Sequence, residues 1–491
     1  MNMKKVLCIL MSVLLLVTLF SACASGTGSE TTAAGSENET AASTAAAENG
    51  GAPDGTSPGD PPDGNGGPGG TPPDGNGGSV PGGSSSADLD YSGAVEISSG
   101  DTQEGQAYAS TTADESALLI STSDDVTITN PTVTKSGDSD GGDNCNFYGL
   151  NAAVLVKDGT TTTITGGTVT SDASGANGVF SYGGNGGQNG ASGDGTTVII
   201  RDTVIRTTGS GSGGIMTTGG GVTYAYDLDV ETSGQSSAAI RTDRGGGTVY
   251  VDGGTYTSNG LGSPAIYSTA EIHVANATLV SNLSEGVCIE GVNSIELTDC
   301  DLTANNTKCN GNATFLDTIM IYQSMSGDAD SGTSSFTMTG GSLTSKNGHV
   351  FHVTNTNAVI TLSGVSITNE DADNILLSVC ADGWSGGSNV STLNAIGQVL
   401  NGAVKVGSDS ALTLNLTEGS SFEGSIDGQI TNASGTVVST EAGTVSVTLD
   451  GTSTWTLTDD SYITEFNGDA ANIISNGYTV YVNGTALTGT N

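Results

Sequence analysis

The chain has 491 residues, of which 76 are Gly and only 10 are Pro, and acidic residues outnumber basic ones 52 to 11. The resulting formal charge of −41 argues against binding to nucleic acid and to anionic lipid headgroups, since both are polyanions. It suits a surface protein that can collect divalent cations.

Residues 1–22 have the order of a secretory signal peptide: Lys4-Lys5, an apolar run at 6–20, and small residues. The run is short for a membrane span. It ends in Phe-Ser-Ala-Cys, which resembles the lipobox of bacterial lipoproteins and implies that Cys23 is lipidated. We therefore expect a protein on the extracellular face of the cytoplasmic membrane, attached to the membrane only through this anchor. An ordinary secreted protein cleaved nearby is the alternative.

Residues 23–88 are rich in Gly, Ser, Thr, Ala, Asn and Pro, and they hold eight of the ten prolines. This composition predicts a disordered linker. From residue 89 onward, Val, Ile, Leu and Thr alternate with polar residues and are interrupted by Gly, Asn, Asp and Ser. That alternation predicts short half-buried strands, tight turns and almost no helix.

A six-residue core motif recurs along the folded part. Five copies begin 23, 23, 41 and 24 residues apart: VDGGTY (251–256), VANATL (274–279), LTDCDL (297–302), MTGGSL (338–343) and LSGVSI (362–367). A period of this kind indicates a solenoid. A second short strand lies upstream of the core, so one circuit of about 24 residues holds at least two strands, as in a parallel β-helix. We expect the insertions at 171–195, 303–334 and 379–410 to be loops.

These repeats, the lipobox and the Gly/Pro linker resemble lipid-anchored right-handed parallel β-helix proteins of clostridia and their relatives. That pectate-lyase-like fold group includes pectate lyases, polygalacturonases, cell-surface carbohydrate-binding proteins and adhesin-like proteins. The resemblance implies an all-β right-handed parallel β-helix over residues 89–491, with an atypical end from about residue 410. It is specific for the fold and weak for function.

Outward-pointing residues of the second strands give the first candidate site. Aligning these strands by their inward Ile predicts a ladder of Arg241, Tyr267, Glu290 and Tyr322, about 4.8 Å apart. Tyr rings stack on sugars, Arg pairs with uronate carboxylates, and Glu accepts from hydroxyls. Trp384, in a Gly-rich loop, is a candidate sugar-stacking platform or else a plug over a coil end. A solvated row of unrelated side chains is the alternative for the ladder.

Carboxylates near this ladder give an enzymatic alternative. Arg241 and Arg244 flank Asp243, which predicts an anion clamp, an Arg base as the resemblance to pectate lyases implies, or an ion pair that positions the next turn. Asp243 and Glu290 are expected two coils apart, about 10 Å, which is at or beyond the upper end for an inverting glycosidase. Asp328 and Asp330 can approach Glu290 from the following loop, whereas the polygalacturonase motifs Asn-Thr-Asp and Arg-Ile-Lys are absent from the sequence.

Calcium is the one cofactor that the sequence suggests. Asp138, Asp140 and Asp143 place oxygen ligands around glycines, as a Ca²⁺ loop requires, although the closing Glu of an EF-hand is missing. In so acidic a chain, chance clustering is the alternative. Cys300 and Cys309 are close enough in sequence to form a disulfide across a loop, or they are free thiols.

The predicted function is that of a cell-surface lipoprotein whose β-helix binds polysaccharide, or a host or cell-surface glycan, for attachment or adhesion. The first alternative is a polysaccharide lyase or glycoside hydrolase acting around Arg241 and Glu290. The second is a structural spacer or protein-binding adhesin.

Overall fold

The computed structural model describes residues 89–186 and 192–491. The predicted signal peptide and linker, with Cys23, lie outside the described residues. The described chain is a right-handed parallel β-helix, which confirms the predicted fold. Each regular coil contributes one strand to each of three parallel sheets, so a circuit has three strands.

Sheet 1 has thirteen strands in the described chain: Ser92–Ile97, Glu115–Ser121, Val154–Lys157, Val179–Tyr182, Ile215–Thr218, Ile240–Thr242, Ile266–Ser268, Val287–Glu290, Asp317–Tyr322, His349–Thr354, Ile375–Val379, Ala403–Val406 and Ile426–Asp427. Sheet 2 has fourteen: Asp101–Glu104, Val126–Thr129, Thr161–Thr165, Thr197–Arg201, Gly221–Tyr226, Gly247–Asp252, Glu271–Ala275, Ser294–Thr298, Thr333–Thr339, Thr356–Ser363, Asn389–Ile396, Ser410–Thr417, Thr444–Leu449 and Glu465–Asn467. Sheet 3 has ten: Ala107–Ser110, Thr132–Lys135, Thr168–Ser171, Val204–Thr207, Asp229–Thr232, Thr255–Ser258, Thr278–Ser281, Asp301–Ala304, Ser342–Ser345 and Ser366–Asn369.

The third side of the solenoid changes near the C-terminal end. A separate parallel sheet takes over there, with strands Val399–Asn401, Ser421–Glu423, Thr454–Thr456 and Ile473–Ile474. Two smaller sheets follow: the antiparallel pair Ile430–Thr431 and Val437–Ser439, and the strands Ser461–Ile463, Val480–Val482 and Thr485–Ala486. The described helices are short, an α-helix at Asp143–Tyr148 and a 3-10 helix at Ala470–Asn472. Among the described residues, no helix has the length and apolar character to span a bilayer.

The three predicted insertions are not wholly loops. Each of them contains at least one strand of sheet 1 or sheet 2, namely Val179–Tyr182, Asp317–Tyr322 and, in the third, both Asn389–Ile396 and Ala403–Val406. The prediction was wrong on this point because an insertion lengthens one turn and leaves the paired strands of the same coil in place.

The recurring motif marks the corner between sheets 2 and 3. Val251, Val274 and Leu297 face the core as successive rungs of sheet 2. The corner that follows places a residue in the left-handed region, and in several coils that residue is Asn or Asp: Asn130, Asp202, Asp227, Asn276 and Asp299. Short polar side chains tolerate this conformation, which explains why Asn and Asp recur beside Gly in the motif.

Candidate functional site

The predicted ladder on sheet 1 is covered and not exposed. Arg241, Tyr267, Glu290 and Tyr322 are 5%, 8%, 2% and 0% exposed. The helix Asp143–Tyr148 reaches over them through Asn146, whose Oδ1 accepts from Arg241 Nη1 at 3.1 Å. Further segments at 323–331 and 380–388 complete the cover. The prediction of an open binding face at these four residues was therefore wrong.

The register of the predicted ladder is also wrong by two residues at its midpoint. Arg241 pairs with Tyr267, but Tyr267 pairs with Cys288, and it is Glu290 that pairs with Tyr322. The cause lies in the preceding turn. Ser258 is level with Ser281 in sheet 3, whereas Ile266 is level with Val287 in sheet 1, so the turn is two residues shorter in the second coil.

Glu290 is the centre of a buried hydrogen-bond network. Its carboxylate accepts from the hydroxyls of Tyr267 at 2.6 Å and Tyr322 at 3.0 Å. It also accepts from the backbone N–H of Ser324 at 3.3 Å and from the Ser324 hydroxyl. Burial raises the pKa of Glu290 against the effect of these donors. The network fixes the start of the segment 323–331 onto sheet 1.

The two arginines form separate ion pairs beside this network. Arg241 Nη2 lies 2.7 Å from Asp243, and Arg244 Nη2 lies 2.5 Å from Asp328. Arg244 also lies over the Phe147 ring, 4.1 Å from its centre. Burial raises the pKa of Asp243 to about 7, although Arg241 acts in the opposite direction.

Four of the predicted catalytic residues are thus brought together. The Ser326 hydroxyl joins Asp328 at 2.9 Å to Glu290 at 3.5 Å, and Asp243 lies beside both arginines. The fifth predicted residue, Asp330, fixes the end of the segment 323–331, because its backbone carbonyl accepts from Val292 N at 2.8 Å. Arg241 with Asp243 and Arg244 with Asp328 form ion pairs, whereas Glu290 is held by hydroxyls and a backbone N–H.

Trp384 belongs to the cover. It is 6% exposed and packs on Tyr322, with ring centres 4.9 Å apart. The interpretation as an exposed sugar platform was wrong, because the Gly-rich loop folds down onto sheet 1 and buries the indole.

Sheet 2 carries an outward-facing row of aromatic rings, one exposed and two half-buried, that was not predicted from the sequence. Tyr224, Tyr250 and His273 occupy successive coils in register and stack at 5.1 and 5.0 Å with interplanar angles of 10°. We call these three residues the ring column. Tyr250 is 39% exposed. His273 is held between Glu271 at 2.9 Å and Glu296 at 3.0 Å.

A second outward column lies two positions further along the same strands. Arg201, Tyr226, Asp252 and Ala275 follow one another in it. The Arg201 guanidinium lies 4.2 Å from the centre of the Tyr226 ring. Because Arg201 belongs to the preceding coil, it covers one face of that ring and leaves the other turned toward Asp252. The residue that follows Asp252 in this column is the small Ala275.

The two columns enclose a groove of about 440 Å³. Its lining combines aromatic rings with hydrogen-bonding groups: Tyr224, Tyr226, Tyr250, Asp252, His273 and Glu296. The signal for the ring column was present in the sequence, since each ring directly precedes the inward residue of sheet 2 at Ala225, Val251 and Val274.

Two of the three proposed calcium ligands, Asp138 and Asp143, have other surroundings in the structure. Asp138 accepts from the backbone of Ser174 at 2.7 Å, and Asp143 lies in the first turn of the short helix, with its pKa raised by burial and by Asp328. In the described ranges, no three residues among His, Cys, Asp and Glu are grouped so as to hold a metal ion. Calcium at Asp138, Asp140 and Asp143 stays a prediction.

Cys300 and Cys309 are both free thiols. Cys300 donates to the carbonyl of Val274 and Cys309 to that of Phe315, each at 3.4 Å. Their spacing allowed either a disulfide or two free thiols, and the structure has two free thiols.

Comparisons of this chain with protein-family models, with curated proteins and with solved structures gave no match.

Proposed function

We propose that this protein binds polysaccharide, and that the binding face is the groove beside the ring column on sheet 2. The observation that supports it is the outward-facing stack of Tyr224, Tyr250 and His273 along one side of that groove. Aromatic groups next to hydrogen-bond acceptors match the alternation of apolar C–H faces and hydroxyls on a sugar ring.

The spacing of the coils suits an extended polymer. Successive rings lie 5.1 and 5.0 Å apart, so the groove repeats its chemistry about once per strand spacing along the solenoid axis. A polysaccharide lying along this axis meets an aromatic ring on each of three successive coils, and several weak contacts then act together.

The charge of the groove favours a polymer without carboxylates. Asp252 and Glu296 line it, and Glu271 lies at its edge beside His273. The one Arg of the second column, Arg201, stacks on Tyr226. Uronate carboxylates would meet like charges here, whereas sugar hydroxyls can donate to the acids.

The cellular role of such a face follows from the N-terminal prediction. A chain lipidated at Cys23 and extended by the Gly/Pro linker would present the β-helix at the cell surface, where polysaccharide binding serves attachment or adhesion. Host or neighbouring-cell glycans are equally suited to the same groove.

A second candidate function is polysaccharide cleavage at the covered cluster on sheet 1. The observation that favours it is that two buried acids of raised pKa, Asp243 and Glu290, both lie close enough to Asp328 to be affected by its charge. Substrate would have to displace the segment 323–331 to reach them. A spacer or protein-binding adhesin uses neither surface.

Co-sedimentation with insoluble neutral polysaccharides and with insoluble pectate tests these functions, provided that the supernatant is analysed for released oligosaccharides. We expect retention on a neutral polymer without release, and a loss of affinity on the order of ten-fold in Tyr250→Ala, since one aromatic contact contributes on the order of 1 kcal/mol. Tyr462→Ala is the matched control: Tyr462 is 47% exposed and stacks on Tyr481, far along the chain from the groove.

The other outcomes separate the alternatives. An equal loss in both variants would remove the ring column as the binding face. Oligosaccharide release that is abolished by Glu290→Gln would make the protein an enzyme. Neither retention nor release from any polymer would leave a spacer or a protein-binding adhesin.

A further inference from the structure

Two carboxylates are buried on adjacent coils at the turn that leads into sheet 1. Glu285 and Asp317 are 2% and 1% exposed. Each lies two residues before a paired position, Val287 and Ile319, and Gly286 N donates to Thr318 O at 2.8 Å between them. The two acids therefore occupy equivalent places one coil apart, about 4.8 Å along the axis.

Asp317 has no hydrogen-bond partner for either carboxylate oxygen. The neighbours that act on it, Glu285 and Asp382, are themselves acidic, and together with burial they raise its pKa well above the usual range. An unpaired buried carboxylate costs several kcal/mol, so native structures pair such groups with a proton, a donor or an ion.

A third side chain independently lies against the same two acids. Asn306 is 1% exposed, and its Nδ2 donates to the backbone carbonyl of Asp317 at 3.2 Å. Its Oδ1 is buried and has no hydrogen-bond partner. Asn306 also hydrogen-bonds to Glu285, an interaction that opposes the raising of that carboxyl's pKa by burial. The amide thus lies against both acids through Nδ2, and a half-turn of its plane would bring the unpartnered Oδ1 to the same side.

We propose that Glu285, Asp317 and Asn306 bind a divalent cation of the Ca²⁺ type between these two coils. Two carboxylates and an amide oxygen are hard oxygen ligands, and two negative charges match one divalent ion. The described chain holds no group of three His, Cys, Asp or Glu residues suited to a metal. The remaining ligands are then main-chain oxygens or water, as is common for Ca²⁺.

Such a site has a structural role that is separate from polysaccharide binding. Asn306 lies in the long turn between Asp301–Ala304 and Asp317–Tyr322, whose later residue Ala313 packs in the apolar cluster with Tyr322 and Trp384. A cation at Asn306 would tie this turn to two coils. It would stabilise the folded chain in proportion to its occupancy, since the unfolded chain lacks the site.

The test is calorimetry on the purified full chain after removal of metals with a chelator. We expect Ca²⁺ to bind with measurable heat and to raise the melting temperature, and Asp317→Asn and Glu285→Gln each to lose both responses. In chelator, Asp317→Asn should melt no lower than wild type, because the substitution removes a like charge from the pair. Asp125→Asn, which removes an exposed carboxylate, is the matched control and should keep the Ca²⁺ response, while Asp138→Asn tests the other predicted calcium loop.

Three results would overturn the proposal: no heat and no shift in wild type, a response that survives in both Asp317→Asn and Glu285→Gln, or a response that is lost only in Asp138→Asn. The first of these, combined with a wild-type stability that falls as the pH rises through neutrality, would assign a shared proton to the pair instead of a metal.

Discussion

The hydroxyl of Tyr267 donates to Glu290 at 2.6 Å from the preceding coil, beneath the segment 323–331. Both residues were expected on an open face for sugars. Their side chains do point outward from the main core, but the outer surface of sheet 1 here is the floor of a second, covered layer. Glu290 joins that layer to sheet 1, because its carboxylate accepts hydrogen bonds both from a sheet 1 residue and from the covering segment.

Replacing Tyr267 with Phe should destabilise the fold by about 1–3 kcal/mol, because Glu290 loses a buried donor that water cannot replace. Urea denaturation followed by circular dichroism measures the change. Tyr250→Phe is the control, since the exposed hydroxyl of Tyr250 should change stability by no more than about 0.5 kcal/mol. Equal effects in the two variants would show that the network around Glu290 is not closed in solution.

Glycines in the turn that follows sheet 3 set how closely successive coils stack on one another. Gly209, Gly234 and Gly260 each lie against the coil before, where an added Cβ would come within 1.9, 1.8 and 1.8 Å of a carbonyl oxygen. Gly234→Ala should therefore reach or exceed the upper end of the roughly 1–3 kcal/mol that overpacking costs, because a backbone oxygen cannot turn aside. Thermal unfolding measures this.

Gly451→Ala is the matched control for that substitution. Gly451 has open space around its would-be Cβ and an ordinary backbone conformation. The melting temperature of the Gly451→Ala variant should equal that of wild type. If Gly234→Ala has the same melting temperature as Gly451→Ala, the coils are spaced more widely in solution than in the structure.

The solenoid was predictable because its signal is repeated. The motif that begins at Val251, Val274 and Leu297 marks the inward face of sheet 2 and the corner that follows it in the regular coils. The covered layer was not predictable, because it depends on single insertions that each fold in their own way: the short helix brings Asn146 to Arg241, and the Gly-rich loop brings Trp384 to Tyr322. A local pattern shows that a side chain points outward, but not what lies on it.

The ring column could have been found from the same repeat. Tyr250 and His273 each directly precede a motif copy that was correctly aligned, at Val251 and Val274, and Tyr224 occupies the same position one coil earlier. The ladder on sheet 1 failed where its alignment crossed a turn of variable length, between Ser258 and Ile266. Register is reliable within a strand and is lost across turns whose length changes.

The thiols should be unreactive in the folded protein. All five described cysteines are free, and burial raises the pKa of Cys145 to about 11. Cys309 is the least buried of the described set. Labelling with a thiol reagent at pH 8 should therefore be slow, begin at Cys309, and reach all of them only in urea. A reductant should leave the melting temperature unchanged; a fall would reveal a disulfide.

His349 should make the fold sensitive to acid. Burial, with a smaller contribution from His352, lowers its pKa from 6.5 to about 3, and its Nδ1 lies 2.7 Å from Ser378 Oγ. Asp371, Asp382 and Lys405 are the other charged groups acting on it. Between pH 6.5 and 3 the unfolded chain binds a proton at this ring that the folded chain does not, so this residue's contribution to stability falls as the pH falls.

His349→Gln removes that proton from the balance and can keep a hydrogen bond to Ser378. The variant should gain on the order of 2 kcal/mol relative to wild type between pH 7.5 and pH 5, because each pKa unit is worth about 1.4 kcal/mol. Urea denaturation at the two pH values measures the difference. The comparison must be made between proteins, since buried acids such as Glu290 have raised pKa values and shift stability in the opposite direction. If His349→Gln and wild type lose stability equally between the two pH values, the acid sensitivity does not arise from the buried ring.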